Sequence, residues 1–165
     1  MIEQNKMWIG LDPGKEGAIV ILQGDTVTKH IYPMIGTSKE YDIQAIRDIF
    51  LTFDKDNCHL VIENVHAIAG GSAKANWSFS RGKSILEVLA VAYDLPHTLV
   101  NPKAWQKLIH QGVPKMDTAK DMTLMAIKRL YPTVDLRKSE RAKKPHDGIY
   151  DALGMAHYCK MTYGL

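Results

Sequence analysis

The sequence predicts an α/β domain, on three observations. Apolar runs of strand length at 7–11, 17–22 and 59–62 are rich in bulky and β-branched residues. Between and beyond them, apolar residues recur every three or four positions, as on one face of a helix. A length of 165 residues with 45% hydrophobic and 24% charged side chains suits one domain with a real interior, spanning 1–165.

Met7-Trp8-Ile9-Gly10-Leu11-Asp12 reads as a buried strand that ends in a lone carboxylate. Such an acid must be solvated, paired with a cation or kept neutral by a raised pKa. It serves either a functional site or as the cap of the turn that follows. Pro13 fixes φ and Gly14 tolerates positive φ, so the chain turns at once and resumes as Gly17-Ala18-Ile19-Val20-Ile21-Leu22, a hairpin with Asp12 at its rim. A turn at Gln23-Gly24-Asp25 leads to a third strand over 26–32. Asp42 then caps a helix that carries Ile43, Ile46, Ile49 and Phe50. His59-Leu60-Val61-Ile62 is the next buried strand, and it too ends in a carboxylate, Glu63. Functional groups collect at strand ends in parallel sheets, so Asp12 and Glu63 are candidates for one shared site.

From 64 to 82 the composition turns small and polar, including Gly70-Gly71-Ser72, and predicts a loop. Trp77 and Phe79 within it either stack on unpaired bases or anchor the loop to the core. A helix over 84–93 follows, with Ile85, Val88, Leu89 and Ala92 on its core face, then a short strand over 97–100. Pro102 opens a helix through Ala104, Trp105, Leu108 and Ile109, and Gly112-Val113-Pro114 breaks it. Asp117 caps a further helix that runs to Leu130 and stops at Pro132. Residues 133–145 read as a mobile basic linker.

No apolar run approaches the ~18 residues of a membrane span, and Met1-Ile2-Glu3-Gln4-Asn5 lacks the basic and apolar regions of a signal peptide. Cys58 and Cys159 have no CxxC spacing and no His at metal spacing, which predicts buried free thiols in a reducing compartment. The net charge is only +3, but its distribution is uneven. Residues 1–100 carry 9 Lys/Arg against 12 Asp/Glu, whereas 101–145 carry 11 against 4. That excess favours a polyanion, nucleic acid above all; lysines worn for solubility are the plainer alternative.

The C-terminal segment His146-Asp147-Gly148-Ile149-Tyr150-Asp151-Ala152-Leu153-Gly154-Met155-Ala156 predicts a tightly packing helix. Asp147 and Asp151 are four apart, with Cβ atoms roughly 5–6 Å from each other on one face. Like charges at that spacing destabilise a helix unless a cation lies beside them. Asp147 near the helix start also suits a simple cap. Two strand-end acids and a helical pair make an all-oxygen inventory, which suits Mg²⁺ or Mn²⁺ and not zinc. Two such ions about 4 Å apart activate water and stabilise a leaving 3′ oxygen in phosphodiester hydrolysis.

Taken in order, Gly10-Leu11-Asp12-Pro13-Gly14, Val61-Ile62-Glu63-Asn64, Val100-Asn101-Pro102-x-x-Trp105, Lys144-x-His146-Asp147-Gly148 and Asp151-Ala152-Leu153 resemble the RuvC-like Holliday-junction resolvases of the ribonuclease H-like superfamily, the compact phage-type branch in particular. No single piece is specific; the ordered set, over nearly the whole chain, is. The resemblance implies a ribonuclease H-like fold, a mixed five-stranded sheet flanked by helices. It implies a homodimer in the cytoplasm of a bacterium or phage-infected host, making paired nicks in four-way DNA junctions without a nucleotide cofactor.

By motif position, Asp12, Glu63, Asp147 and Asp151 correspond to the family's metal ligands for two Mg²⁺ or Mn²⁺ ions, one on Asp12, Glu63 and Asp151 and the other on Asp12 and Asp147. Lys107 and Lys120 correspond to its lysines near the scissile phosphate, with Lys103 and Lys115 as alternative equivalents. Trp77 or Phe79 corresponds to the aromatic that wedges into the junction. Arg81, Lys83, Lys103, Lys107, Lys115 and Lys120 are expected on DNA. Bacterial members space the last two acids three apart, which here selects Gly148; this chain offers Asp147 at four and His146 at five. The His146 role is open between ligand, base, helix cap and solvent-exposed side chain.

Three other readings compete. An Asp-x-Gly hairpin also opens sugar-kinase and actin-like ATPases, which need two such domains around a cleft. A junction-binding protein without catalysis would use the acids only as caps. A nuclease of the same fold would act on other branched DNA or on structured RNA.

Overall fold

Alternation along the apolar runs builds the sheet, because successive side chains of a strand point to opposite faces. The computed structural model describes residues 5–38, 40–65 and 70–164. Strands β1 (Met7–Asp12), β2 (Ala18–Gln23), β3 (Thr26–Ile31), β4 (Cys58–Glu63) and β5 (His97–Val100) lie in the order β3-β2-β1-β4-β5. β1, β2 and β3 pair antiparallel as a meander, and β4 and β5 add in parallel on the other side of β1. This is the mixed five-stranded sheet expected from the resemblance.

Ile9, Leu11, Ile19, Leu60 and Ile62 face α1 (Ile43–Phe50) and α2 (Ala73–Ala92), meeting Ile46, Phe50, Leu86 and Ala90. Trp8, Leu22 and Val61 face the other way, onto α3 (Pro102–Ile109) and α5 (Asp147–Tyr163); Ala18 and Val20 meet α5 and α4 (Ala119–Leu130). By that alternation Asp12 and Glu63 point to the α3/α5 side. α5 lies so close that a Cβ at Gly10 would fall on the Ala152 carbonyl and 2.6 Å from the Ala156 nitrogen.

Several sequence expectations need correction. Residues 73–82, read as loop, are the first half of α2; Ser72 caps it by accepting from the Ala75 N–H at 3.2 Å. Part of the expected loop, 66–69, lies outside the described residues. Gly82 within α2 allows close packing, since a Cβ would stand 2.8 Å from Tyr41 Oη. The buried stripe of α2 runs through Gly82, Leu86 and Ala90, so Val88 and Ala92 point to solvent. Thr118, not Asp117, caps α4, its hydroxyl accepting from the Asp121 N–H. Residues 133–145 hold no helix or strand but are not a loose linker. Leu136 is buried, and the Lys29 ammonium donates to the carbonyls of Asp135 and Arg137. Cys58 and Cys159 are buried free thiols, as expected. Among the described residues no helix is long and apolar enough to cross a membrane.

Candidate active site

Asp12 and Glu63 follow directly on the paired residues Leu11 and Ile62 of adjacent parallel strands, so the two carboxylates leave the sheet side by side. Immediately beyond Asp12 the chain reverses at Gly14, whose φ of 131° belongs to glycine, and closes with a bond from the Gly17 N–H to the Gly14 carbonyl (3.0 Å). The N-terminus of α5 docks on this turn. A Cβ at Gly148 would press on the Glu16 carbonyl and lie 2.9 Å from the Gly17 carbonyl carbon. No larger residue fits at 148, which accounts for the four-residue spacing of Asp147 and Asp151: the position three before Asp151 is spent on backbone contact. Asp12, Glu63, Asp147 and Asp151 thus line one cleft of about 900 Å³, together with Lys120.

The electrostatics are those of an acid cluster short of positive charge. Burial, then repulsion from Glu63, Asp151 and Asp147, holds Asp12 well above its ordinary pKa, with Lys120 opposing. Burial and then Glu63 push Asp151 up to about 7. Burial also raises Glu63, against a hydrogen bond from the Trp105 indole N–H to Oε1 (3.0 Å). Asp147 differs. Burial works upward on it too, but its ion pair with Lys120, the Gly148 N–H and His146 together hold it below the usual value. Among the described residues no hydrogen bond reaches the side-chain carboxylate of Asp12 or Asp151.

As the side chains stand, no three His, Cys, Asp or Glu among the described residues are gathered into a closed ligand set. The acids face one another across the cleft, and Lys120 claims Asp147. Oxygen-only donors, uncompensated charge and carboxylates without hydrogen bonds nevertheless fit a hard divalent cation. No family model matches the sequence, and no curated protein does. Two solved structures are similar over almost their whole length. One is Thermus thermophilus RuvC in complex with Holliday junction substrate (TM-score 0.61, 11% identity, 97% of each chain). The other is a Thermus thermophilus RuvC structure (TM-score 0.55, 14% identity, 94% of this chain and 95% of that one).

The fold is that of RuvC. On this RuvC fold the other expected site residues separate. Of the lysines, Lys120 lines the acid cleft, while Lys103 and Lys107 are exposed on α3 and Lys115 on the loop after it. Phe79 lines the cleft, its ring about one contact distance from Gly14 (3.5 Å from a Cβ placed there). Trp77 is 63% exposed on α2, with the Arg81 guanidinium 5.5 Å from its ring. Arg81 is paired with Glu40 at 2.6 Å, and Lys83 donates to Asn64 Oδ1 at 2.6 Å, beside Glu63.

His146 departs from the capping and solvent-exposed readings. It stands at the N-cap position of α5 but makes no side-chain cap bond, and its side chain is 9% exposed. Nδ1 is buried without a hydrogen-bond partner among the described residues, and Nε2 faces Glu16 Oε2 at 3.5 Å. Trp105 and Gly148 are the residues that sequence reasoning passed over. Both sit inside the quoted motifs, and only the tertiary contact assigns them work.

Proposed function

We propose that the protein is a metal-dependent endonuclease that resolves four-way and other branched DNA junctions by paired nicks. The observation that carries this is the meeting of Asp12, Glu63, Asp147 and Asp151, from two strands and a helix, in one cleft that Lys120 enters. Asp12, Glu63 and Asp151 would hold one Mg²⁺ or Mn²⁺ ion, and Asp12 with Asp147 a second. When bound there, such ions supply Lewis acidity for activating water and stabilising the departing 3′ oxygen. Lys120 holds Asp147 in place and carries the positive charge that offsets charge developing on the phosphate. Phe79 offers a ring beside Gly14 on which a base next to the scissile phosphate can stack.

Likeness to a RuvC structure bound to a Holliday junction supports the choice of substrate. The basic stretch 101–145, held to β3 through Lys29, supports salt-sensitive phosphate contacts. Two sites on strands of like polarity require a homodimer, and exposed Val88 and Val91 on one side of α2 support apolar cover by a second copy.

The test is a labelled four-way junction beside plain duplex, flap and fork substrates, each with Mg²⁺ or EDTA. Symmetric nicks in the junction, present with Mg²⁺ and absent with EDTA, are expected. Binding without cutting under every divalent ion would leave a junction-binding protein, and equal cutting of duplex would remove the shape preference.

A further inference from the structure

We propose that Trp105 is a positioning residue for Glu63, its indole N–H fixing one carboxylate oxygen so that the other is presented to the cleft; the inference rests on the metal-dependent reading above. A carboxylate's terminal torsion is broad, and a glutamate at a strand end has little to hold it. The Trp105 N–H reaches Oε1 at 3.0 Å, and no hydrogen bond among the described residues takes Oε2. The donor is itself fixed, because Trp105 is 1% exposed. Asn101 caps its helix by accepting from the Lys103 N–H at 3.0 Å, and Pro102 stands at the first turn.

The ring is wedged against α5 at Gly154, where a Cβ would lie 3.0 Å from Cζ3. Gly154 follows Asp151 by three residues. One indole therefore touches β4 through Glu63 and α5 one turn beyond Asp151, so it gauges the gap between the elements that carry two of the four acids. Partners that orient a metal-ligating carboxylate govern affinity by about 10–100-fold.

Trp105→Phe keeps an aromatic side chain, removes the donor and gives up the benzo ring that meets Gly154. In Mn²⁺ titrations followed by electron paramagnetic resonance, its affinity is expected to fall about tenfold or more from wild type. Cleavage should need correspondingly more Mg²⁺, with the rate at saturation within about threefold of wild type and junction binding in EDTA unchanged; a merely structural role would not produce that split. An Mn²⁺ affinity within about twofold of wild type would overturn the positioning role alone. A wild-type protein that binds no Mn²⁺ would overturn both this role and the nuclease reading.

A second measurement needs no variant at 105. The Trp105 indole resonance, assigned by its retention in Trp8→Phe and Trp77→Phe proteins, should move on Mg²⁺ addition. A resonance fixed through saturation would overturn the proposal.

Discussion

Asp151→Asn should make the metal-free protein more stable at pH 8 while abolishing cutting. The Asp151 carboxyl has an ordinary value of 3.8 and a folded-state value of about 7, set by burial and then by Glu63. Below pH 3.8 it is neutral in both folded and unfolded chains, so it has no effect. Between 3.8 and about 7 the folded chain holds a proton that the unfolded chain releases, and stability falls as pH rises. Above 7 the loss is complete. A shift of about three units at 1.36 kcal/mol each places the full effect near ~4 kcal/mol. Because Asp151 and Glu63 repel and Asp12 is raised by both, their titrations are coupled, and about 2–4 kcal/mol is expected on replacing one acid. Asparagine keeps the shape without the charge. Thermal melts in EDTA from pH 4 to 9 should then show Asp151→Asn pulling ahead of wild type across the 4–7 interval, to about 5–10 °C above it at pH 8. Mg²⁺ should raise the wild-type melting temperature at pH 8 and leave the variant nearly unmoved. Parallel melting curves at every pH, or a variant less stable at pH 8, would refute the picture of Asp151 as a buried acid waiting for a cation.

Asp12→Asn, Glu63→Gln and Asp147→Asn should each lower single-turnover cutting by about 10³-fold or more, with junction affinity in EDTA within a few-fold of wild type; gel-shift titrations measure the affinity. Lys120→Met should slow cutting by about 10²-fold. Its pair with Asp147 is largely exposed, so chemical denaturation should show a loss of at most ~1 kcal/mol. Gly148→Ala should destabilise the fold by about 1–3 kcal/mol, because its Cβ meets the Glu16 carbonyl and Gly17. Gly148→Asp, which restores the three-residue acid spacing, should be worse still by the same denaturation assay. Phe79→Ala should reduce the 2-aminopurine signal of junction opening, whereas Trp77→Ala should leave it near wild type, since only Phe79 lines the cleft.

Local chemistry made most of the architecture readable. Short continuous apolar runs marked β1, β2 and β4, helical spacing with Asp42 marked α1, and Pro102 and Pro132 marked helix ends. Two of those runs end in acids, and the spacing of Asp147 and Asp151 put two more on one helix face. These are properties of a residue and its neighbours along the chain, and they are legible without a fold. Other features depended on what lies across the gap. Residues 73–82 looked like loop because their composition is small and polar, yet they are helical, and Gly82 there lets α2 touch Tyr41. Lys120 separates from Lys103, Lys107 and Lys115 only once α4 is laid against α5. Phe79 separates from Trp77 only by which side of α2 meets the Asp12 turn. The four-residue acid spacing and the use of Trp105 both follow from close approach of backbone and ring to α5, a distance set by packing in three dimensions and carried by no local pattern.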